Sequence, residues 1–229
     1  AGVPLNCIAQ YPLVLQHARA LVDACGLIGG PQVRNRATLG GNVAHALPAA
    51  DGSIALLAWN AQAEVVGMDG TLILPLVELY LGPGKSALKP GAQILAGFYL
   101  PLKFAGQDSA FLRVMRPQGV ALPVLNMACW LYRQGDRIID LRLALGPAGA
   151  IPQRGHEVEQ SMRGKIFTPG AIKAAGKVLM ESIHFRTSPR RASSAYRQHL
   201  SQMLLPAVVE AAWQRAGESM NDGTGIGSS

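Results

Sequence analysis

The 229-residue chain weighs 24.2 kDa, enough for one large domain or two small ones with a real core. Hydrophobic residues make up 49% and charged residues 15%, which excludes an intrinsically disordered protein, and no uninterrupted apolar run of about eighteen residues is present to span a membrane. The net charge is +7, concentrated in residues 116–229, but the basic residues are scattered; Arg186, Arg190, Arg191 and Arg197 form the one dense group, with few aromatics among them, which argues against a nucleic-acid partner.

Three cysteines, Cys7, Cys25 and Cys129, lie far apart in apolar surroundings without C-x-x-C spacing. They are expected as core thiols in a reducing, cytoplasmic compartment. The chain starts at Ala1, and nothing near it resembles a charged-then-apolar signal peptide.

After Pro12, the residues Leu13, Val14, His17, Ala18, Leu21, Val22 and Cys25 recur at three- and four-residue spacing and predict one amphipathic helix ended by Gly26. From Gly29 to Asp51 the sequence is rich in Gly, Pro, Asn and small residues without either period. It is expected to be a long ordered loop, and such loops in compact domains usually carry function. Ile54 to Trp59 predicts a short helix and Ala63 to Met68 a strand, turned at Asp69-Gly70 into a return strand over Thr71 to Leu74. A second Gly/Pro-rich loop, Leu81 to Gly91, leads into a strand over Gln93 to Leu100. Further strands over Ala110 to Met115, Leu122 to Arg133 and Arg137 to Leu145 give a mostly antiparallel sheet.

At Gly146-Pro147 the texture turns helical. Thr168 is a cap and Pro169 the first residue of a helix reaching about Ser182. Leu200, Met203, Leu204, Ala207, Val208, Ala211 and Ala212 form the stripe of a last helix, kinked at Pro206. The fold class is α+β: an antiparallel sheet with flanking helices over residues 1–146, a small α+β module over 147–216, and a tail over 217–229 expected to be disordered.

His17, His45, His156, His184 and His199 show neither H-E-x-x-H spacing nor clustering with cysteine, so no metal site is assigned. Gly-x-Ser-x-Gly, a Walker A loop and Gly-x-Gly-x-x-Gly are all absent. No catalytic residue is assigned. What stands out is Thr38-Leu39-Gly40-Gly41-Asn42. Two adjacent glycines let a backbone approach a ligand and turn its N–H groups inward, and Thr38 and Asn42 add side-chain donors, which suits a phosphate or pyrophosphate. A plain tight turn uses the same glycine pair. Arg34 and Arg36 either pin this loop or neutralise its ligand, and Asp51 is either a ligand contact or the N-cap of the helix that follows.

The run Pro31-Gln32-Val33-Arg34-Asn35-Arg36-Ala37-Thr38-Leu39-Gly40-Gly41-Asn42, followed by Pro48-Ala49-Ala50-Asp51, resembles the flavin-binding segment of the medium subunit of molybdenum hydroxylases, the carbon monoxide dehydrogenase and xanthine dehydrogenase family. Tyr80 to Gly84, Leu88 to Gly91 with Ile94-Leu95, Arg113 to Arg116, and Arg191 to Leu200 are similar to further stretches of that family. The resemblance implies the second lobe of a PCMH-type FAD-binding domain followed by the family's C-terminal module. It implies that Thr38, Leu39, Gly40, Gly41 and Asn42 hold the FAD pyrophosphate, that Asp51 lies near the cofactor's hydroxyls, that Ile94 and Leu95 meet the isoalloxazine, and that His45 and Arg113 lie close to the flavin. Leu47, Lys85 and Ala92 depart from the family's usual residues there, which implies an altered flavin edge.

The implied function is electron relay. A large subunit with a molybdopterin cofactor oxidises substrate, a small subunit carries [2Fe-2S] clusters, and FAD in the medium subunit delivers the electrons to an external acceptor, in a dimer of heterotrimers. The family also places a smaller FAD lobe before this segment, so the resemblance implies the later part of a subunit. The alternatives are an interaction scaffold that has lost FAD, and an independent anion- or nucleotide-binding module.

Overall fold

The computed structural model describes residues 1–116, 122–189 and 191–222. Three short helices open the chain: α1 (Leu5–Gln10), α2 (Pro12–His17) and α3 (Arg19–Leu27). The single helix expected after Pro12 is therefore two. The break is at buried Ala18, with φ −141° and ψ 58°, and it lets His17 Nδ1 accept a bond from the Lys103 backbone N–H at 3.3 Å. Apolar periodicity continues across the break because α3 still sends Ala20, Leu21, Ala24 and Cys25 inward.

The segment 29–51 is not a loop either. It holds α4 (Pro31–Arg34) and α5 (Leu39–Ala44) before entering α6 (Asp51–Ala58), whose residues are all buried. Helices this short are set by tertiary partners rather than by propensity. Arg34 Nη1 donates to the carbonyls of Ile28 at 3.4 Å and Gly29 at 2.7 Å, and Thr38 Oγ1 caps α5 by accepting from the Gly41 N–H at 3.0 Å.

Strands β1 (Gln62–Gly67), β2 (Gly70–Pro75) and β5 (Gln93–Tyr99) form an antiparallel sheet in the order β2-β1-β5, with β3 (Tyr80–Gly82) and β4 (Lys85–Ser86) as a small hairpin between them. Gly70, at φ +109°, opens β2 in a conformation that favours glycine. The second sheet runs β6-β7-β8-β9, all antiparallel: β6 (Gln107–Val114), β7 (Leu125–Gln134), β8 (Arg137–Gly146) and β9 (Gln153–Arg154). Successive residues point to opposite faces of a strand, and here both faces are covered. Phe111, Ala128, Trp130 and Ala144 pack with α3 and α6, whereas Ala110, Met127, Cys129, Leu131, Leu143 and Leu145 pack with α7 (His156–Met162), α8 (Pro169–Ser182) and α9 (Ser194–Asp222). The change of texture at Gly146-Pro147 thus falls at the end of β8, inside a core that β7 and β8 share with the last three helices.

Thr168 caps α8 as its sequence predicts, with Oγ1 accepting from the Ala171 N–H at 3.1 Å. Helix α9 carries Pro206 internally and runs on to Asp222, so residues 217–222 are helical rather than tail. The extension is held from outside: Ser219 Oγ takes the Gly106 N–H at 3.1 Å, and Glu218 pairs with Arg19 at 2.9 Å. The rest of the expected tail, 223–229, lies outside the described residues, as does Arg190. Cys25 and Cys129 are core thiols, but Cys7 is exposed on α1. No helix among the described residues is long and apolar enough to cross a membrane.

Candidate functional site

A cavity of about 530 Å³ opens between α4, α5, the start of α6 and strand β6, and its lining includes Thr38, Gly41, Asn42, His45, Asp51 and Arg113. Six of the ten residues expected at a site therefore share one wall. They come from positions up to 75 apart in sequence, and the fold brings them together through two arrangements.

The first is the turn into α5. Its glycines face different ways. Gly41 is exposed and lines the cavity; Gly40 is buried, and a Cβ there would stand 2.5 Å from Ala1 Cβ and 2.9 Å from the Ala1 carbonyl oxygen. The Gly40 N–H donates to the Ala1 carbonyl at 3.0 Å and the Gly41 N–H to Thr38 Oγ1. The inward-turned cradle of backbone N–H groups expected from the sequence is thus closed by internal partners. Donors remaining on this wall belong to side chains: the Thr38 hydroxyl, whose oxygen accepts from Gly41 and whose proton stays available, the Asn42 amide and the Arg36 guanidinium. Arg34 and Arg36 divide the two roles considered for them, since Arg34 pins the loop and Arg36 lines the cavity.

The second arrangement is a buried polar cluster at the base. Asp51 is the first residue of α6, only 3% exposed, and it does not cap the helix. Asn42 Oδ1 takes that part, accepting from the Gly52 N–H at 3.1 Å. The freed Asp51 carboxylate receives Arg113 Nη1 on one oxygen and Asn126 Nδ2 on the other, each at 2.6 Å. Arg113 and Asn126 are cross-strand partners on β6 and β7, so the pleat points both toward α6. Asn126 Nδ2 also donates to the Ala49 carbonyl at 3.2 Å, while its Oδ1 is buried with no partner among the described residues. Burial pushes the Asp51 carboxyl up, against the charge of Arg113 and the bonds from Asn126 and Arg113 that hold it down. Burial, with the Asp51 charge second, pushes the neighbouring Cys25 thiol up to about 12.

Four expected residues lie elsewhere. Leu39 and Gly40 turn into the protein, and Ile94 and Leu95 sit on β5, Ile94 66% exposed and Leu95 packed against the first core. Ala1 links the two places, bonding the Gly40 N–H through its carbonyl and the Ala96 carbonyl through its amino group at 2.6 Å. Asn126 is the member of this polar cluster that sequence reasoning missed. Its signal was one amide side chain inside the otherwise apolar run Leu125 to Leu131. Two further cavities, of about 880 Å³ between α8 and α9 and about 500 Å³ beside β9 and α7, contain none of the expected residues. Among the described residues no group of three metal-ligating side chains exists.

Residues 1–103 match the family described as FAD binding domain in molybdopterin dehydrogenase, and residues 110–212 match the CO dehydrogenase flavoprotein C-terminal domain. The nicotine 6-hydroxylase medium subunit of Paenarthrobacter nicotinovorans is 31% identical over 206 residues, covering 89% of this chain and 71% of that one. The chain belongs to the FAD-binding medium subunits of the molybdenum hydroxylases. Within that family the xanthine dehydrogenase FAD-binding subunit of Escherichia coli O157:H7 is 28% identical over 92% of this chain and 72% of its own length. The medium-subunit fold is shared with the carbon monoxide dehydrogenase of Hydrogenophaga pseudoflava, whose structure superposes with a TM-score of 0.87 at 24% identity over 93% of this chain and 73% of that one.

Proposed function

We propose that this chain places FAD for electron relay, receiving electrons from [2Fe-2S] clusters in a small partner subunit and passing them to an external acceptor, while a large subunit with a molybdopterin cofactor oxidises the substrate. The observation that carries this reading is the shared cavity: the turn Thr38–Asn42 and the Asp51–Arg113 pair line one space. The donor set fits an anionic cofactor segment. Arg36 supplies charge, Thr38 and Asn42 supply uncharged donors, and the missing side chain of Gly41 leaves the wall open. A cavity of about 530 Å³ lies within the range of small-molecule sites and takes a portion of a dinucleotide.

FAD supplies the one- and two-electron chemistry when bound. The chain's own residues then bind and orient. Thr38, Asn42 and Arg36 would hold the pyrophosphate, and Asp51, fixed by Arg113 and Asn126, presents an acceptor for a hydroxyl. Ile94 and Leu95 offer β5 as a surface for the flavin ring, across the Ala1 segment from Gly40. The partners are a large molybdenum subunit and a small iron–sulfur subunit, in a dimer of heterotrimers in the cytoplasm. The FAD-binding unit is proposed to span residues 1–146 and the C-terminal module residues 147–216; the family matches over 1–103 and 110–212 support two units and favour an earlier division between them.

The test is the absorbance spectrum of the native assembly with identification of its subunits. Flavin bands near one per chain, together with an iron–sulfur and a molybdenum subunit, support the relay. A colourless assembly refutes it and leaves the scaffold reading.

A further inference from the structure

The cavity of about 880 Å³ between α8 and α9 shares no lining residue with the flavin cavity. The two helices run antiparallel beside it. Phe167, just before α8, stacks on Trp213 of α9 with ring centroids 4.2 Å apart, and Ser201 Oγ near the start of α9 meets Met180 Sδ near the end of α8 at 3.7 Å. The groove between them follows α8 from Pro169 to Glu181, a length of about 18 Å at the helical rise. Phe167, Ile172, Met180, Leu205 and Pro206 make its floor apolar, and a cavity of this size with an apolar floor and a few polar groups has the character of a small-molecule site.

Two of the lining residues are ones that a helix interior disfavours. Gly176 stands in the middle of α8, where alanine would serve the helix better, yet its backbone is helical and a Cβ there would meet nothing within 4 Å. No close contact within the fold calls for a glycine at this point; the missing side chain leaves room in the groove. On the α9 side Pro206 lacks the N–H that would bond the Gln202 carbonyl, and Gln202 lines the same groove.

The charges on the rim are arranged as well. Lys173 and Lys177 are exposed, one turn apart on α8, and among the described residues neither has an ion-pair or hydrogen-bond partner for its ammonium group. Like charges at this spacing repel one another. Glu210 lies toward the Phe167 end and Glu181 just beyond Met180 at the other, so the middle of the rim is cationic above an apolar floor.

We propose that the α8–α9 groove binds an amphipathic organic anion, an elongated aliphatic carboxylate whose chain lies on the floor beside Gly176 and whose head group meets Lys173 and Lys177. The chain takes apolar surface out of water, and the carboxylate supplies the counter-charge that the two lysines lack. A cationic amphiphile of the same length gains the first and not the second.

The experiment is isothermal titration calorimetry of the full chain with decanoate and with decyltrimethylammonium at matched ionic strength. Decanoate should bind saturably, about one per chain, and at least about tenfold more tightly than the cation. K173A/K177A, which changes two exposed side chains, should weaken decanoate by about tenfold or more. Gly176→Leu, which fills the groove with a good helix former, should abolish binding while the protein still unfolds cooperatively. Gly41→Val, in the flavin cavity, should bind decanoate as the wild type does. The absence of saturable binding overturns the proposal, as do equal affinities for the two amphiphiles, unchanged binding in either groove variant, or loss of binding in Gly41→Val.

Discussion

Removing the Asp51 carboxylate tests the base of the flavin cavity directly. The Arg113 and Asp51 side chains are 9% and 4% exposed, so among the described residues Asp51→Ala leaves a nearly buried guanidinium with only the Met115 sulfur at 3.2 Å, and leaves Asn126 Nδ2 with only the Ala49 carbonyl. Breaking one side of a buried ion pair costs about 3–5 kcal/mol, and at roughly 2–4 °C per kcal/mol for a chain of this size the melting temperature should fall by about 10 °C. The double variant D51A/R113A removes both charges, so its loss should be smaller than the summed single losses by about 2 kcal/mol or more. Calorimetry or urea unfolding of the four proteins measures the coupling. In Arg113→Ala the two influences of Arg113 that lower the Asp51 pKa are gone, and burial raises it further. A carboxyl with a folded pKa above its unfolded value is penalised above that pKa and relieved as pH falls, so the R113A deficit should shrink as pH is lowered toward the ordinary carboxylate range. A loss below about 1 kcal/mol in D51A, or strictly additive single losses, would refute the assignment of this pair as a buried, mutually dependent unit.

Gly41→Val should strip FAD from the purified assembly while unfolding cooperatively near the wild-type temperature, because its side chain enters the cavity with Thr38 Oγ1 3.2 Å from the new Cβ. Gly40→Val should instead lower stability, by about 1–3 kcal/mol for overpacking, since its Cβ meets Ala1; flavin loss with unchanged stability would contradict this separation of the two glycines. A thiol reagent at about pH 8 should titrate one cysteine, Cys7, in the native protein and all three after denaturation, because burial pushes the Cys25 and Cys129 thiols up and shields them. Thr168→Ala should cost about 1 kcal/mol in chemical denaturation through loss of the α8 cap, and no change would mean that the Ala171 N–H finds another acceptor.

The six longer strands β1, β2, β5, β6, β7 and β8, the β1–β2 hairpin and α8 were legible because each rests on a local rule: alternation, a turn before Gly70, a threonine followed by proline; the two- and three-residue strands β3, β4 and β9, the first two within or beside the expected loop Leu81 to Gly91, are too short to show a period. The break at Ala18 was not, since alanine carries no stop signal and the apolar stripe resumes after it. Helices α4 and α5 hid in a Gly-, Pro- and Asn-rich segment because their stability comes from distant partners such as the Ala1 carbonyl on Gly40. At the site, a resemblance located the turn and Asp51, but no spacing rule could show that Asp51 would spend its carboxylate on Arg113 and leave the cap to Asn42. Such pairings are set by which strands meet, here β6 and β7 under α6.

The second sheet, covered on both sides, bears on how the chain comes apart. Two families divide the sequence, yet Phe111, Ala128, Trp130 and Ala144 of the second fill the core built by α3 and α6 of the first. Neither half has a complete interior without the other. Heating should therefore melt both in one calorimetric endotherm, and the amides of central β7 should be among the last to exchange with deuterium, whichever half is destabilised first.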